Sequence, residues 1–329
     1  EDGIRDFCLS RGLGDVYKRQ IKKQSNLKFV KWFPENHFFS NHFIYAPDIN
    51  NAPLANSLEH YQSLLALLPN NQTTATVHYR LAQIQSRIMR DFVGAKSSYE
   101  TALNTNPSSQ LRELIHSDIG KLYIYDGKYG EAKSYFRPEQ NEKINIRTVE
   151  YVNSMLYGLE IDSAMTYLDE IILNVDTNHK YFNDLFEVHD LIANYYVDGT
   201  KDDKSAFKAF FKAESLINEY KIKEAVEVLE MIRLNYSDSL IYPIVTLRLA
   251  FISIDLMQYE KSIQYALAIE ETSLKDRGLT LAAEIEENYL SNNENALKYY
   301  HRVLSECSSS LLADPVRLHV RKISKHMEG

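Results

Sequence analysis

Seven small side chains recur along this chain at intervals that few architectures can explain. Ser57, Ala95, Ala132, Ala164, Ala225, Ser262 and Ala296 each open an apolar-periodic segment, at intervals of 38, 37, 32, 61, 37 and 34 residues. Each interval is near one period or two. Self-similarity of this length marks an array whose units bury their apolar faces only against their neighbours. A small residue at a fixed place in each unit is what two helices need where they pass at close range, since a larger side chain would hold them apart. Composition agrees: 11 glycines and 8 prolines in 329 residues leave room for long helices and short connections.

The repeat has a recognisable form in two stretches, "IGKLYIYDGKYGEAKSYF" over Ile119–Phe136 and "LAFISIDLMQYEKSIQYA" over Leu249–Ala266. A third comparison pairs "LEHYQSLLALLP", Leu58–Pro69, with "KSSYETALNTNP", Lys96–Pro107. An aromatic follows Gly120 at three residues, another precedes the next helix, and alanine and phenylalanine follow. This resembles the tetratricopeptide repeat (TPR), a helix–turn–helix unit of about 34 residues. The resemblance covers most of Asn56–Ile323. It implies that Gly120 and Ala132 face each other where the helices touch, with Ile119, Tyr123, Tyr129 and Phe136 filling the groove around them.

The expected fold is therefore all-α: a right-handed α-solenoid of about seven TPR-like hairpins. The array departs from the pattern in places. Proline ends a repeat only at Pro69 and Pro107, and the "SRIMRDF" connection is one residue too long. The 61-residue gap holds two further helices, near 179–197 and 203–220. Ala206, Phe210 and Ala213 suit the second helix of one repeat, yet the same helix must be the first helix before "IKEAVEVLEMI". Both assignments cannot hold at once in a regular array, so an irregular junction is expected at 176–202. It would separate an N-terminal array, 21–175, from a C-terminal array with a terminal helix, 203–329.

The C-terminal half repeats itself at an offset of 71 residues, Ala225 on Ala296, Ile232 on Val303, Ser239 on Ser310 and Leu247 on Leu318. Both copies resemble the helix–"Tyr-Pro-x-Ser-x-x-Ala"–helix form of bacterial envelope repeat proteins. Ser237 and Ser308 stand in place of the proline, and Cys307 in place of the tyrosine.

Residues 1–20 belong to a different kind of object. "SRGLGDVYKRQ" has a partial GxG at Gly12 and Gly14, but no strand precedes it and no helical pattern follows, as a phosphate loop would need. GAAGACGGCATACGAGAT translates as Glu1–Asp6; TTCTGCCT, in the slot of an eight-base sample index, then GTCTCGTGGGCTCGG and AGATGTGTATAAGAGACAG continue in the same frame through Phe7-Cys8-Leu9 to Gln20. This resembles a sequencing-library adapter read as protein, so the segment is expected to be an artefact, with the natural chain running from Ile21 and truncated upstream.

Several function classes are disfavoured. A formal net charge of -8 suits neither nucleic-acid phosphates nor an anionic membrane surface. No apolar run approaches the roughly 18 residues of a membrane span. With Cys8 in the adapter stretch, Cys307 is left alone, which rules out an internal disulfide and a thiolate cluster. No zinc-type HExxH, P-loop or nucleophile elbow is present, so no metal, cofactor or catalytic residue is expected. His37, His42 and His60 cluster only in sequence. Glu284, Glu286 and Glu287 could mimic paired catalytic carboxylates, but nothing supplies a nucleophile beside them. The 23 tyrosines suit the packing positions of the repeat. The aromatic stretch "FVKWFPENHFFSNHFIY", Phe29–Tyr45, either forms an exposed interaction patch or packs on the first helix or on repeats upstream.

The expected function is a non-enzymatic protein-interaction scaffold, bacterial and set in an envelope assembly, periplasmic or outer-membrane-associated in preference to cytoplasmic. The alternative is the helical arm of an enzyme, such as a lytic transglycosylase, whose catalytic domain is missing. The partner is another protein or peptide segment. The resemblance implies that it lies along the inner face of the first helices, where the repeat register places Tyr79, Gln83 and Ser86, then Ser117, Lys121 and Ile124, then Glu214. Beyond the gap follow Leu247, Phe251 and Ile254, then Thr280, Glu284 and Glu287. Phe251 would be an aromatic anchor; equally, its stripe could pack on the next hairpin.

Overall fold

The computed structural model describes residues 27–31, 52–67, 69–139 and 143–328. The adapter-like stretch, His37, His42 and most of the aromatic segment lie outside them. Among the described residues the chain is all-α, with fifteen α-helices and no strand. They run α1 (Ala52–Leu67), α2 (Gln72–Ile84), α3 (Phe92–Asn104), α4 (Ser109–Tyr125), α5 (Tyr129–Phe136), α6 (Ile146–Tyr157), α7 (Ile161–Ile172) and α8 (Phe182–Ile192). After these come α9 (Lys201–Asn218), α10 (Ile222–Asn235), α11 (Tyr242–Asp255), α12 (Tyr259–Leu267), α13 (Lys275–Asn288), α14 (Asn293–Glu306) and α15 (Ala313–Glu328). Two π-turns, Gln85–Met89 and Ala193–Val197, extend α2 and α8.

The helices form antiparallel hairpins in sequence order, α2/α3, α4/α5, α6/α7, α9/α10, α11/α12 and α13/α14, a TPR-like array. Six of the seven periodic small residues sit at the fourth position of a helix; Ser57 lies at the sixth position of α1, and its side chain is outside the described residues. Ala95, Ala132, Ala164, Ala225, Ser262 and Ala296 open the second helix of each hairpin, and every one is fully buried.

The turn within each hairpin repeats as closely. Arg90, Gly127, Leu159, Tyr220, Met257 and Ser291 all have positive φ, between 56° and 70°, and each precedes its small residue by five positions. The next residue's N–H then bonds back over the helix end, Lys128 to Tyr123, Glu160 to Met155, Lys221 to Leu216 and Gln258 to Ser253, each at 2.8 Å. This left-handed cap satisfies carbonyls that a helix end leaves orphaned. Only one of the six residues is glycine, so the other five each carry a backbone cost of about 1–2 kcal/mol. In the first and last hairpins the bond reaches one residue further, Asp91 to Gln85 and Asn292 to Glu286. The π-turn at Gln85–Met89 is where the extra residue of "SRIMRDF" is absorbed.

The close approach in the α4/α5 hairpin differs in detail from the expectation. A Cβ added to Gly120 would lie 2.1 Å from Cζ of Phe136, so the ring of Phe136, not Ala132, occupies the space the glycine leaves. The reason is helical geometry: residue 136 lies one turn beyond 132 on the same face.

The chain divides into two compact units. Among the described residues the first holds 52–189 with Glu214–Lys221, and the second holds 27–31, Asp190–Ala213 and 222–328. The divisions fall inside α8 and α9 and not at 175 and 203. Within 176–202 lie α8, the π-turn that prolongs it and the first two residues of α9. From Ala206 to Ile217 of α9 only Lys208, Ala209 and Lys212 escape burial. A helix buried on most of its circumference is one that is enclosed.

Candidate functional site

In the first unit the inner-face residues bond to one another. Asp118, on α4 and largely buried, accepts hydrogen bonds from the Tyr99 hydroxyl at 3.2 Å, Gln83 Nε2 at 3.2 Å and Arg87 at 3.4 Å. Gln83 also donates to the Tyr79 hydroxyl at 2.8 Å. Burial, with the Asp118 charge added, pushes both tyrosine hydroxyls well above their ordinary pKa. Lys121 Nζ lies 2.9 Å from Glu150 on α6. Ser86, Ser117 and Ile124 are buried, as is Glu214. This face is a closed polar network, and most of the side chains expected to meet a partner there are engaged already.

In the second unit the apolar stripe is core. Leu247, Phe251 and Ile254 are buried, as is every residue from Ile244 to Ile254 of α11. The expectation that Phe251 stands exposed as an anchor therefore gives way to its alternative, packing, because α11 is enclosed around its whole circumference between α10 and α12.

The last expected group behaves differently. Thr280 is buried and its hydroxyl bonds the Asp276 carbonyl at 2.7 Å, but Glu284 turns its carboxylate onto a bent stretch of main chain. Its Oε1 accepts from the N–H groups of Lys28 and Phe29, the latter at 2.9 Å, and its Oε2 accepts from Val30 N–H at 3.1 Å. Arg277, two helical turns earlier on α13, donates to the Lys31 carbonyl. Four main-chain groups of residues 28–31 are thus held by two side chains of one helix. Burial raises the Glu284 pKa to about 7; the three N–H donors pull it down and the Glu287 charge pushes it up.

Three of the five side chains of the held segment face the protein. Leu27 and Val30 are buried, Phe29 is half-buried, and Lys28 and Lys31 are exposed. The Phe29 ring meets Tyr300 of α14 edge-on at 6.2 Å and His319 of α15 at 5.2 Å. Glu287 fixes both of those rings, accepting from the Tyr300 hydroxyl at 2.9 Å and lying 2.8 Å from His319 Nε2. Beside Phe29 lies an open cleft of about 560 Å³ bounded by Glu287, Pro315, Leu318, His319 and Lys322.

The described part of the aromatic stretch therefore packs on α13–α15 at the far end of the sequence, not on the first helix. Tyr300, His319 and Arg277 were not legible as site residues, since none stands at an inner-face register position. The 71-residue self-match carried one unused signal. Leu247 is buried, whereas its counterpart Leu318 is 60% exposed and lines the cleft. Earlier in the copies the match holds in burial, with Ala225, Ala296, Ile232 and Val303 all fully enclosed.

The acidic run does not come together. Glu284 grips main chain, Glu287 holds two rings, and Glu286 is buried, so the three carboxylates are engaged separately. Cys307 caps the end of α14, half-buried, with burial raising its thiol pKa, the opposite of an activated nucleophile. Among the described residues no helix is long and apolar enough to cross a membrane.

No protein-family profile matches the sequence, and no curated protein matches it. Among solved structures the chain is similar to the crystal structure of the P58(IPK) TPR domain, at 13% identity over 84% of this chain and 95% of that one, with a TM-score of 0.29. A likeness so distant adds nothing to what the hairpins themselves establish.

Proposed function

We propose that this chain is a non-enzymatic protein-interaction scaffold whose working surface is the cleft between α13 and α15, where it takes a short segment of another protein. One observation carries the reading: Glu284 accepts three successive backbone N–H groups of a segment bent at Lys28 and Phe29. A carboxylate used in this way reads main chain, and main-chain bonding combined with adjoining side-chain pockets is a recurring mode of peptide recognition. Hydrogen bonds to a charged acceptor are also about twice as strong as neutral ones.

A photo-reactive residue at Leu318, exposed at the cleft, should cross-link the partner in cells, whereas one at Leu173, exposed on α7, should not. Equal labelling at both positions would remove the cleft from the proposal. A bacterial envelope setting is its finer part, supported by the helix–"Tyr-Pro-x-Ser-x-x-Ala"–helix resemblance. Assembling the upstream reading frame tests it. A signal sequence followed by more repeats supports an envelope scaffold; a catalytic domain would make the chain the arm of an enzyme.

A further inference from the structure

We propose that Leu27–Lys31 is a resident copy of the segment this cleft recognises, and that the partner presents an aliphatic–x–aromatic–aliphatic sequence in the same bent conformation, which displaces it. The inference rests on the scaffold reading above and adds the chemistry of the partner and a built-in competitor. Three features carry it. First, the cleft holds Leu27–Lys31 through main-chain groups, the N–H groups of residues 28–30 and the Lys31 carbonyl, which any segment bent in this way offers. Second, side-chain selection is confined to three positions: Leu27 and Val30 are buried and Phe29 meets Tyr300 and His319, while Lys28 and Lys31 are exposed. Third, the resident segment underfills its seat. The cleft of about 560 Å³ beside Phe29 stays open, with the apolar side chain of Leu318 left 60% exposed on its wall. A strap serving the fold alone would be expected to cover that wall; a weaker stand-in for a bulkier ligand need not.

The test uses the full chain and a fluorescein-labelled peptide of sequence SNLKFVKW, residues 25–32. A ligand for a cleft that is open only part of the time binds with an affinity reduced by the open fraction, so emptying the cleft with Phe29→Ala/Val30→Ala should tighten peptide binding about tenfold or more. Methylating the peptide nitrogens at the phenylalanine and valine positions, which leaves the side chains unchanged, should weaken binding by about tenfold or more, as should Glu284→Ala in the chain. Should the double variant lose helicity, hydrogen exchange on the unaltered chain decides: excess peptide should speed exchange of the Lys28–Val30 amides and the methylated peptide should not. A helical double variant that ignores the peptide, or amides that exchange at the same rate with and without it, would show a fixed strap and overturn the proposal. A partner that still cross-links at Leu318 in saturating peptide also overturns it while leaving the scaffold reading intact. Peptide binding with no cross-linked partner supports segment recognition and removes the scaffold reading.

Discussion

Gln83, Lys121, Phe251 and Glu284 occupy the same register position in the first helices α2, α4, α11 and α13, yet the two units use that position in different ways. In the first unit it is closed by neighbours in the array: Gln83 donates to Tyr79 and Asp118, and Lys121 pairs with Glu150 on the next hairpin. In the second, Phe251 is core and Glu284 is satisfied by residues 28–30, which belong to no hairpin. A buried polar group must find a partner somewhere, and the array supplies one only when the adjacent hairpin carries it. Where it does not, the position becomes a site for something else. The difference between a structural face and a binding face is thus which element completes the hydrogen bonds.

The comparison can be broken most sharply at Asp118. Asp118→Ala leaves Tyr99, Gln83 and Arg87 without their shared acceptor inside the first unit, and should destabilise it by about 3 kcal/mol or more, read as a urea midpoint shift. An unchanged midpoint would mean that the network is incidental and that this face is as free to bind as the other.

Gly120→Ala comes next. The added methyl would start 2.1 Å from the Phe136 ring, and the overpacking should cost about 1–3 kcal/mol. Gly130→Ala, on the second helix of the same hairpin and with nothing within 4 Å of its added Cβ, should instead stabilise by up to about 1 kcal/mol. Identical melts for the two variants would refute the packing described for α4 and α5.

The second unit is probed through pH. The Glu284 pKa is raised to about 7, above the ordinary glutamate value, so the folded state favours its protonated form. Its contribution to stability is in full below the unfolded value near 4.5 and is lost as pH rises through 7. Denaturant midpoints of the parent should therefore fall between pH 5 and pH 8 more steeply than those of Glu284→Gln. The groups that face it, Glu287, Tyr300, His319, Lys28 and Arg277, are the same in both proteins, so the difference isolates Glu284. Parallel profiles would remove the buried carboxylate from the account.

The smallest expected effect concerns a feature both units share. Met257 is 57% exposed and holds φ at 60°, so Met257→Gly should relieve strain worth about 1–2 kcal/mol, offset in part by the entropy glycine loses on folding. A net gain near 0.5–1 kcal/mol in the melt would confirm that the turn geometry is imposed by the array; a loss would assign Met257 a packing role.

The periodic small residues made the hairpins legible because each reports a contact between helices that are adjacent in sequence. Ala95 through Ala296 are fully buried at the predicted places, and the over-long "SRIMRDF" connection is resolved by a π-turn. The left-handed turns were not legible. Five of the six carry ordinary side chains such as Arg90 and Leu159, and the bonds closing the helix end tolerate them at a cost that no local preference announces. Nor was the use made of Glu284, whose spacing matched that of Lys121 although its partners do not.

By itself, then, the sequence determined what repeats: the helix pairs, their small-residue contacts and the inner-face register. Tertiary structure decided which register positions are closed and which are occupied from outside the array. Glu284 and Val30 lie 254 residues apart, and Phe29 meets Tyr300 and His319 across a similar distance in sequence. A nearest-neighbour array encodes its own contacts in its period, but a segment that belongs to no repeat has no register, so only the folded chain shows where it lies.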